Sequence, residues 1–272
     1  MSDKLNPGVD WDSLTFSFTK TDRMYIARCN EGEEWKEGLM QDFTNLSLSP
    51  ASGVINYGQG LFEGMKAQYA EDGKVVLFRP SDNARRSREG ARRLGMPPVP
   101  EEMFINAIKQ TVKENIRWVP PIGKGALYIR PLLFGSGAIL GVAPAPEFTF
   151  LVYVSPVGPY FKGGIKPTSL RVSDEFHRAA PGGSGGVKAI GNYAPGMVPS
   201  MMAKKEGFSE IIYLDAVNHK YVEEVGAANF FCVKDGVIST PELTGTILAG
   251  VTRSSVIELA KSNGYEVREE KI

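Results

Sequence analysis

Cysteine and histidine are scarce: Cys29, Cys232, His177 and His219 are the whole supply in 272 residues. Two cysteines in unrelated contexts argue against a disulfide framework and a zinc site, and two isolated histidines against a metal centre. No apolar run approaches the roughly 20 residues needed to span a bilayer. A charge of one sign is missing too. Lys and Arg number 31, Asp and Glu number 31, and the two signs are interspersed. That balance points away from nucleic acid or an anionic membrane as partner. The start, Met1-Ser2-Asp3-Lys4-Leu5-Asn6-Pro7, has no apolar signal core and no Arg- and Ser-rich transit character. The expected location is therefore cytoplasmic, or an organelle after removal of a targeting segment. There is no internal repeat and no low-complexity tract. The balance fits a soluble metabolic enzyme, long enough for two domains.

Glycine, by contrast, is concentrated. Gly182-Gly183-Ser184-Gly185-Gly186 delivers Val187-Lys188, and Tyr193 follows the lysine by five residues. Such a run carries a large backbone-entropy cost, tolerated where a strained turn or a close approach to a ligand is needed. A flexible surface linker explains the glycines equally well. No Gly-Lys-[Ser/Thr] closes the run and the dinucleotide spacing is absent, which leaves a nucleotide-binding loop as a distant reading. A lysine in a ligand-binding loop is the usual carrier of a Schiff base with a carbonyl cofactor such as pyridoxal phosphate. That cofactor needs a carboxylate beside its ring nitrogen, and Tyr221-Val222-Glu223-Glu224-Val225-Gly226 offers one in Glu224. An exposed acid at a strand end is the bland alternative. The phosphate needs free N–H groups, as at a helix N-terminus. Gly250-Val251-Thr252 sits at such an end, with Thr252 as the N-cap of a helix through Ser262 closed by Asn263-Gly264. An ordinary cap explains Thr252 as well.

The pattern elsewhere divides the chain into two lobes. Lys66–Ala70 and Lys74–Phe78 read as strands of a hairpin around Glu71-Asp72-Gly73. Ser81-Asp82 reads as the cap of a helix through Leu94, and Pro100 opens a second helix to about Trp118 with Phe104, Ile108, Val112 and Ile116 as its apolar stripe. The first helix carries Arg85, Arg86, Arg88, Arg92 and Arg93; periodicity does not choose among them, because Ala84, Ala91 and Leu94 define its apolar side. Strands are expected at Ala126–Phe134, Phe148–Val154, Leu170–Ser173, Glu210–Leu214 and Phe230–Ile238, the last bent at Asp235-Gly236. Alternation puts Tyr128 and Arg130 on one face of their strand, opposite Leu127 and Ile129. A solvated sheet surface is the simplest reading of that pair.

Five stretches together resemble one family. Leu61-Phe62-Glu63-Gly64-Met65-Lys66, Tyr128-Ile129-Arg130-Pro131, Val187-Lys188 to Tyr193, Glu224-Val225-Gly226 and Leu248 to Arg253 occur in the order and spacing of branched-chain amino acid aminotransferases, pyridoxal phosphate enzymes of fold type IV. The likeness runs from about Trp11 to the last residue and is greatest to plant and bacterial members. It implies a two-domain α+β / α/β fold of the D-amino-acid aminotransferase type, with a small N-terminal α/β domain over 1–158, a linker over 159–168 and a large cofactor-binding domain over 169–272. It implies Lys188 as the catalytic lysine and general base, and Tyr193, Glu224, Leu248, Gly250, Val251 and Thr252 at pyridoxal phosphate. Arg86, counted from Phe78-Arg79-Pro80, matches the phosphate-binding arginine, with Arg85 as the alternative. Tyr57, Phe62, Lys66, Tyr128, Arg130 and Ala227 match the substrate pocket, where Ala227 stands in place of a threonine found in some relatives.

The implied reaction moves the amino group of leucine, isoleucine or valine to 2-oxoglutarate, in a homodimer whose subunits exchange a loop at Gly141-Val142. Family members continue beyond the strand begun at Glu266, so a shortened large domain, less stable and holding the cofactor more weakly, is expected of this chain as written. D-amino-acid aminotransferase and aminodeoxychorismate lyase share the fold and the lysine, but the Tyr128–Arg130 pair favours the branched-chain group. A non-catalytic truncation product is the alternative from a different class.

Overall fold

The computed structural model describes residues 8–159, 166–173 and 175–272. The expected linker over 159–168 lies largely outside those residues, as does the start of the chain through Pro7. The chain divides into two compact units, Met1–Ile165 and Lys166–Ile272. Among the described residues no helix is long and apolar enough to cross a membrane.

The first unit contains β1 (Arg23–Asn30), β2 (Leu39–Asp42), α1 (Gly53–Tyr57), β3 (Gly60–Phe62), β4 (Met65–Tyr69), β5 (Val75–Leu77), α2 (Pro80–Arg93), α3 (Glu101–Glu114), β6 (Ala126–Gly135) and β7 (Glu147–Val157). Its seven-stranded sheet runs β2-β1-β7-β6-β4-β5, with β3 also paired to β6. β7 lies mid-sheet and is buried along nearly its whole length, which is why its sequence reads as a continuous apolar run rather than an alternation. α3 buries Met103, Phe104, Ala107, Ile108, Thr111 and Val112 at three- and four-residue spacing. Phe104 stacks on Phe150 of β7 with ring centroids 5.6 Å apart.

Several expected boundaries move for local reasons. α2 begins at Pro80 rather than behind a Ser81-Asp82 cap: Arg79 is the N-cap at φ 47, proline presets the first helical φ, and Asp82 pairs with the Arg79 guanidinium at 2.7 Å. The inner side of α2 is formed by small residues, Asn83, Ala84, Ser87, Gly90 and Ala91, which a purely apolar count does not register. α3 stops at Glu114, and a 3₁₀ turn over Ile116–Trp118 then leaves Ile116 exposed and buries Trp118. Asn115 drives the break. Its side chain accepts from the Asp22 and Arg23 amides at 3.0 Å each and donates to the Arg23 carbonyl at 2.9 Å and to the Thr111 carbonyl at 2.8 Å, so it ties the last turn of α3 to the start of β1.

The second unit contains β8 (Leu170–Val172), α4 (Met197–Lys205), β9 (Glu210–Leu214), β10 (Val222–Val225), β11 (Ala228–Asn229), β12 (Cys232–Lys234), β13 (Val237–Thr240), α5 (Val251–Ser262) and β14 (Val267–Glu269). Two small sheets result, ordered β11-β10-β9-β8 and β12-β13-β14. The pairs β8–β9 and β13–β14 are parallel and the others antiparallel. The single bent strand expected over Phe230–Ile238 is a hairpin: Asp235 and Gly236 both have positive φ, 51° and 79°, the conformation of a two-residue turn that matches strand twist. α5 starts at Val251 with Gly250 as its N-cap, so Thr252 is the second helical residue and not the cap.

Truncating Phe104 to Ala removes a ring that is 1% exposed and stacked on the central strand. Phe104→Ala is expected to destabilise the chain by about 3–5 kcal/mol in urea unfolding, whereas Val76→Thr, on exposed β5, should shift it by no more than about 0.5 kcal/mol.

Candidate active site

The glycine run does not behave as a free linker. The Gly186 amide donates to the Gly245 carbonyl at 2.8 Å, which ties the run to the segment ahead of α5. A Cβ at Gly185 would stand 2.2 Å from the Thr246 carbonyl oxygen, so only glycine fits there. Asn192 closes the loop from the other side, donating through Nδ2 to the carbonyls of Ser184 at 2.7 Å and Val187 at 2.9 Å. Lys188 emerges half-buried from this frame, and its Nζ donates to the Tyr193 hydroxyl at 3.2 Å.

Glu224 sits on β10, between β9 and β11, and is 1% exposed. It is a fully enclosed carboxylate, not an acid at a solvated strand end. Asn229, its cross-strand partner on β11, donates to Oε1 at 3.0 Å and also to the Leu248 carbonyl at 2.9 Å. Arg178 Nε lies 2.5 Å from Oε2 as an ion pair, and among the described residues no aligned hydrogen-bond donor reaches that buried oxygen. Burial pushes the Glu224 carboxyl up to about 7; Arg178 pulls hardest in the other direction, followed by the Leu248 backbone and then Lys188, while Glu223 adds to the rise. Gly250 follows Leu248 closely: a Cβ there would meet Asn229 Oδ1 at 2.1 Å. Among the described residues no side chain caps the N-terminus of α5, where the Val251 and Thr252 amides lie.

Lys188, Tyr193, Glu224, Leu248 and Gly250 thus belong to one connected constellation in the second unit. Ala227, in the turn between β10 and β11, shares with Tyr193 a cavity of about 290 Å³ that Arg178, Met197 and Tyr213 also line. Arg178, Asn192 and Asn229 were not legible as site residues; the Asn229 signal was present in its two-residue offset from Ala227 and its place opposite Glu224 in a short hairpin. His177 and His219, isolated in sequence, pack edge to face with centroids 4.5 Å apart.

In the first unit, Tyr128 and Arg130 do share a face, and Leu127 and Ile129 are wholly buried on the other. Arg130 donates to the Tyr128 hydroxyl at 3.0 Å and lies 4.5 Å from the Phe62 ring centroid, while its buried Nε has no hydrogen-bond partner. Lys66 is the cross-strand partner of Tyr128 and is exposed. Phe16 meets Tyr128 edge-on at 5.1 Å, an aromatic contact from a segment the motifs do not cover. The Tyr57 hydroxyl instead donates to the Leu140 carbonyl. Arg86 is drawn inward although the apolar periodicity places it off the inner side: its Nε and Nη2 donate to the two oxygens of buried Glu63 at 2.8 and 2.6 Å, and Asn83 completes the set at 2.8 Å. Arg85 is exposed and pairs with Asp82 at 3.3 Å.

Residues 60–272 match the family described as amino-transferase class IV. The chloroplastic branched-chain-amino-acid aminotransferase 5 of Arabidopsis thaliana is 54% identical over 264 residues, covering 97% of this chain and 64% of the relative, so the chain spans less than two thirds of that protein's length. The branched-chain amino acid aminotransferase of Escherichia coli superposes with a TM-score of 0.79 at 28% identity, over 93% of this chain and 78% of that one. The T.th. branched-chain amino acid aminotransferase, solved with N-(5'-phosphopyridoxyl)-L-glutamate, gives a TM-score of 0.73 at 29% identity, over 93% and 77% of the two chains.

A buried carboxyl raised from 4.5 to about 7 makes the folded chain hold an extra proton between those values. In the ligand-free protein its contribution to stability must therefore fall as pH rises through that window. Between pH 5 and pH 7, Glu224→Gln should remove about 2 kcal/mol of that decline, read from urea midpoints at the two pH values. A smaller decline should persist, because burial also raises Glu223.

Proposed function

The chain belongs to the amino-transferase class IV family, and from that premise we propose that it carries out branched-chain amino acid transamination with pyridoxal phosphate, moving the amino group of leucine, isoleucine or valine to 2-oxoglutarate. The observation that carries this reading is the Lys188–Tyr193 pair, electrostatically linked to an enclosed Glu224 with one oxygen free of hydrogen bonds. That oxygen, faced by the Arg178 charge but by no aligned donor among the described residues, fits the protonated ring nitrogen of the cofactor, and the N-terminus of α5 fits its phosphate. The phosphopyridoxyl ligand of the T.th. protein supports the same cofactor.

When bound, pyridoxal phosphate supplies a carbonyl for the substrate amine and a ring that takes up the electron pair left at the α-carbon. Lys188 Nζ would hold the cofactor, and it stands as the general base for the proton at the substrate's α-carbon. The Tyr193 hydroxyl orients that Nζ. Glu224 keeps the ring nitrogen protonated, and the amides of Gly250, Val251 and Thr252 receive the phosphate. Arg86 joins them in this reading, and its exposure of 14% against 59% for Arg85 favours it over its neighbour. Tyr57, Phe62, Lys66, Tyr128 and Arg130 form the substrate side, the free Nε of Arg130 suiting a carboxylate. In the second unit Ala227, beside Tyr193 in the 290 Å³ cavity, is the substrate-side residue of this reading.

The reading extends to assembly and location. Leu140 and Val142, 91% and 89% exposed, support a homodimer in which this loop is covered by a second copy. The chloroplastic relative favours an organelle over the cytoplasm.

Borohydride reduction after incubation with pyridoxal phosphate should leave a phosphopyridoxyl group on Lys188 by peptide mass mapping; a label on Lys66 or Lys204 overturns the assignment. Arg130→Ala should lower kcat/KM for glutamate about tenfold more than for leucine, since a carboxylate left without its charged donor loses more than an aliphatic chain does. Equal losses would reduce Arg130 to a structural role or to the α-carboxylate that both substrates share.

A further inference from the structure

Arg178 precedes the glycine run, and its side chain is 8% exposed. A buried guanidinium needs acceptors, and this one reaches three from different parts of the second unit. Nε faces Glu224 Oε2 at 2.5 Å. Nη1 donates to the Thr246 carbonyl at 2.9 Å and to the Gly185 carbonyl at 3.3 Å. The last two carbonyls belong to the segment before α5 and to the loop that carries Lys188, at the point where Gly185 has no room for a Cβ against Thr246.

We propose that Arg178 is a positioning residue for the reaction, one cation that keeps the Glu224 carboxylate ionised toward the ring nitrogen of the cofactor and locks the Lys188 loop onto the segment leading to α5. It rests on the functional reading above. The physical argument is an asymmetry of acceptors. Asn229 satisfies Oε1 with a neutral donor, so among the described residues the cation paired with the carboxylate is Arg178. Without it, burial favours the neutral acid, which offers the ring nitrogen an O–H instead of an acceptor. Because the guanidinium does not hydrogen-bond to Oε2, it supplies charge and leaves that oxygen's acceptor capacity to another donor. A lysine retains the charge but has one nitrogen where Arg178 uses two, Nε at Glu224 and Nη1 at both carbonyls.

The test uses Arg178→Met, Arg178→Lys and the pair Arg178→Met with Glu224→Gln. Two readouts are needed: the titration of the Glu224 side-chain carbon in protein labelled with ¹³C-glutamate, assigned by its loss in Glu224→Gln, and the ratio of affinities for pyridoxal phosphate and its 1-deaza analogue, which has carbon in place of the ring nitrogen. In Arg178→Met the Glu224 midpoint should rise by about one pH unit or more, and the affinity ratio should collapse about tenfold. Arg178→Lys should preserve the midpoint and the ratio while weakening both ligands alike. If Arg178→Met does not fold, the double variant, which removes both buried charges, decides: its ratio should equal that of Glu224→Gln alone. An unmoved midpoint or ratio in Arg178→Met, a ratio that collapses equally in Arg178→Lys, or a double variant below Glu224→Gln overturns the proposal. Failure of the wild-type chain to take pyridoxal phosphate on Lys188 overturns the functional reading itself, whereas normal labelling with an unmoved ratio overturns Arg178 alone.

Discussion

Withdrawing the Glu224 carboxylate from water is unfavourable unless charge and donors meet it inside the protein, and three separate segments converge to do so. The stretch before the glycine run brings Arg178, the β10–β11 hairpin brings Asn229, and the segment before α5 brings the Leu248 carbonyl that Asn229 also holds. Meeting the needs of one carboxylate therefore fixes where the Lys188 loop and the N-terminus of α5 stand relative to each other. The small sheets of this unit contribute few large buried side chains; Ile211 and Tyr213 of β9 cluster with Ala203 of α4. Polar stitching takes over part of what a larger apolar core does in the first unit.

A second enclosed carboxylate makes an instructive contrast. Glu63, in the first unit, receives both donors of the Arg86 fork and the amide of Asn83, so each of its oxygens is satisfied. Such a pair is directional, two donors of one guanidinium on the two oxygens of one carboxylate. Glu224 keeps one oxygen free of hydrogen bonds, and its carboxyl sits near 7. The difference between the two glutamates is how completely aligned donors meet their oxygens.

Much of the candidate site was legible in the sequence because its signals are local. A lysine after crowded glycines, a tyrosine five residues on, and a Tyr-x-Arg alternation can each be read within a short window. Glu224 was singled out by its motif, but its enclosure was not legible, since that depends on Arg178, 46 positions earlier, and on a hairpin too short to announce itself. Arg86 shows the same limit: apolar periodicity placed it off the inner side, and only the buried Glu63, 23 residues away, explains why it turns in. For the fold, the long strands β6 and β7 and the stripe of α3 followed from pattern. The edges did not, because Asn115, Arg79 and Gly250 end or begin helices through backbone geometry and distant partners rather than through the cap residues a local reading favours.

The glycine run looks uniform in one-letter code, yet its members answer to different constraints. Gly182 has φ 77 and open space around its Cβ position, so what it requires is a handedness of backbone, which asparagine can also adopt. Gly185 has no positive φ but is pressed against Thr246, so what it requires is volume. Drift in this sequence is therefore channelled: change at the outer end of the loop alters entropy in the unfolded chain, while any side chain at Gly185 displaces the lysine itself. A loop that reads as slack is tolerant at one end and intolerant three residues later.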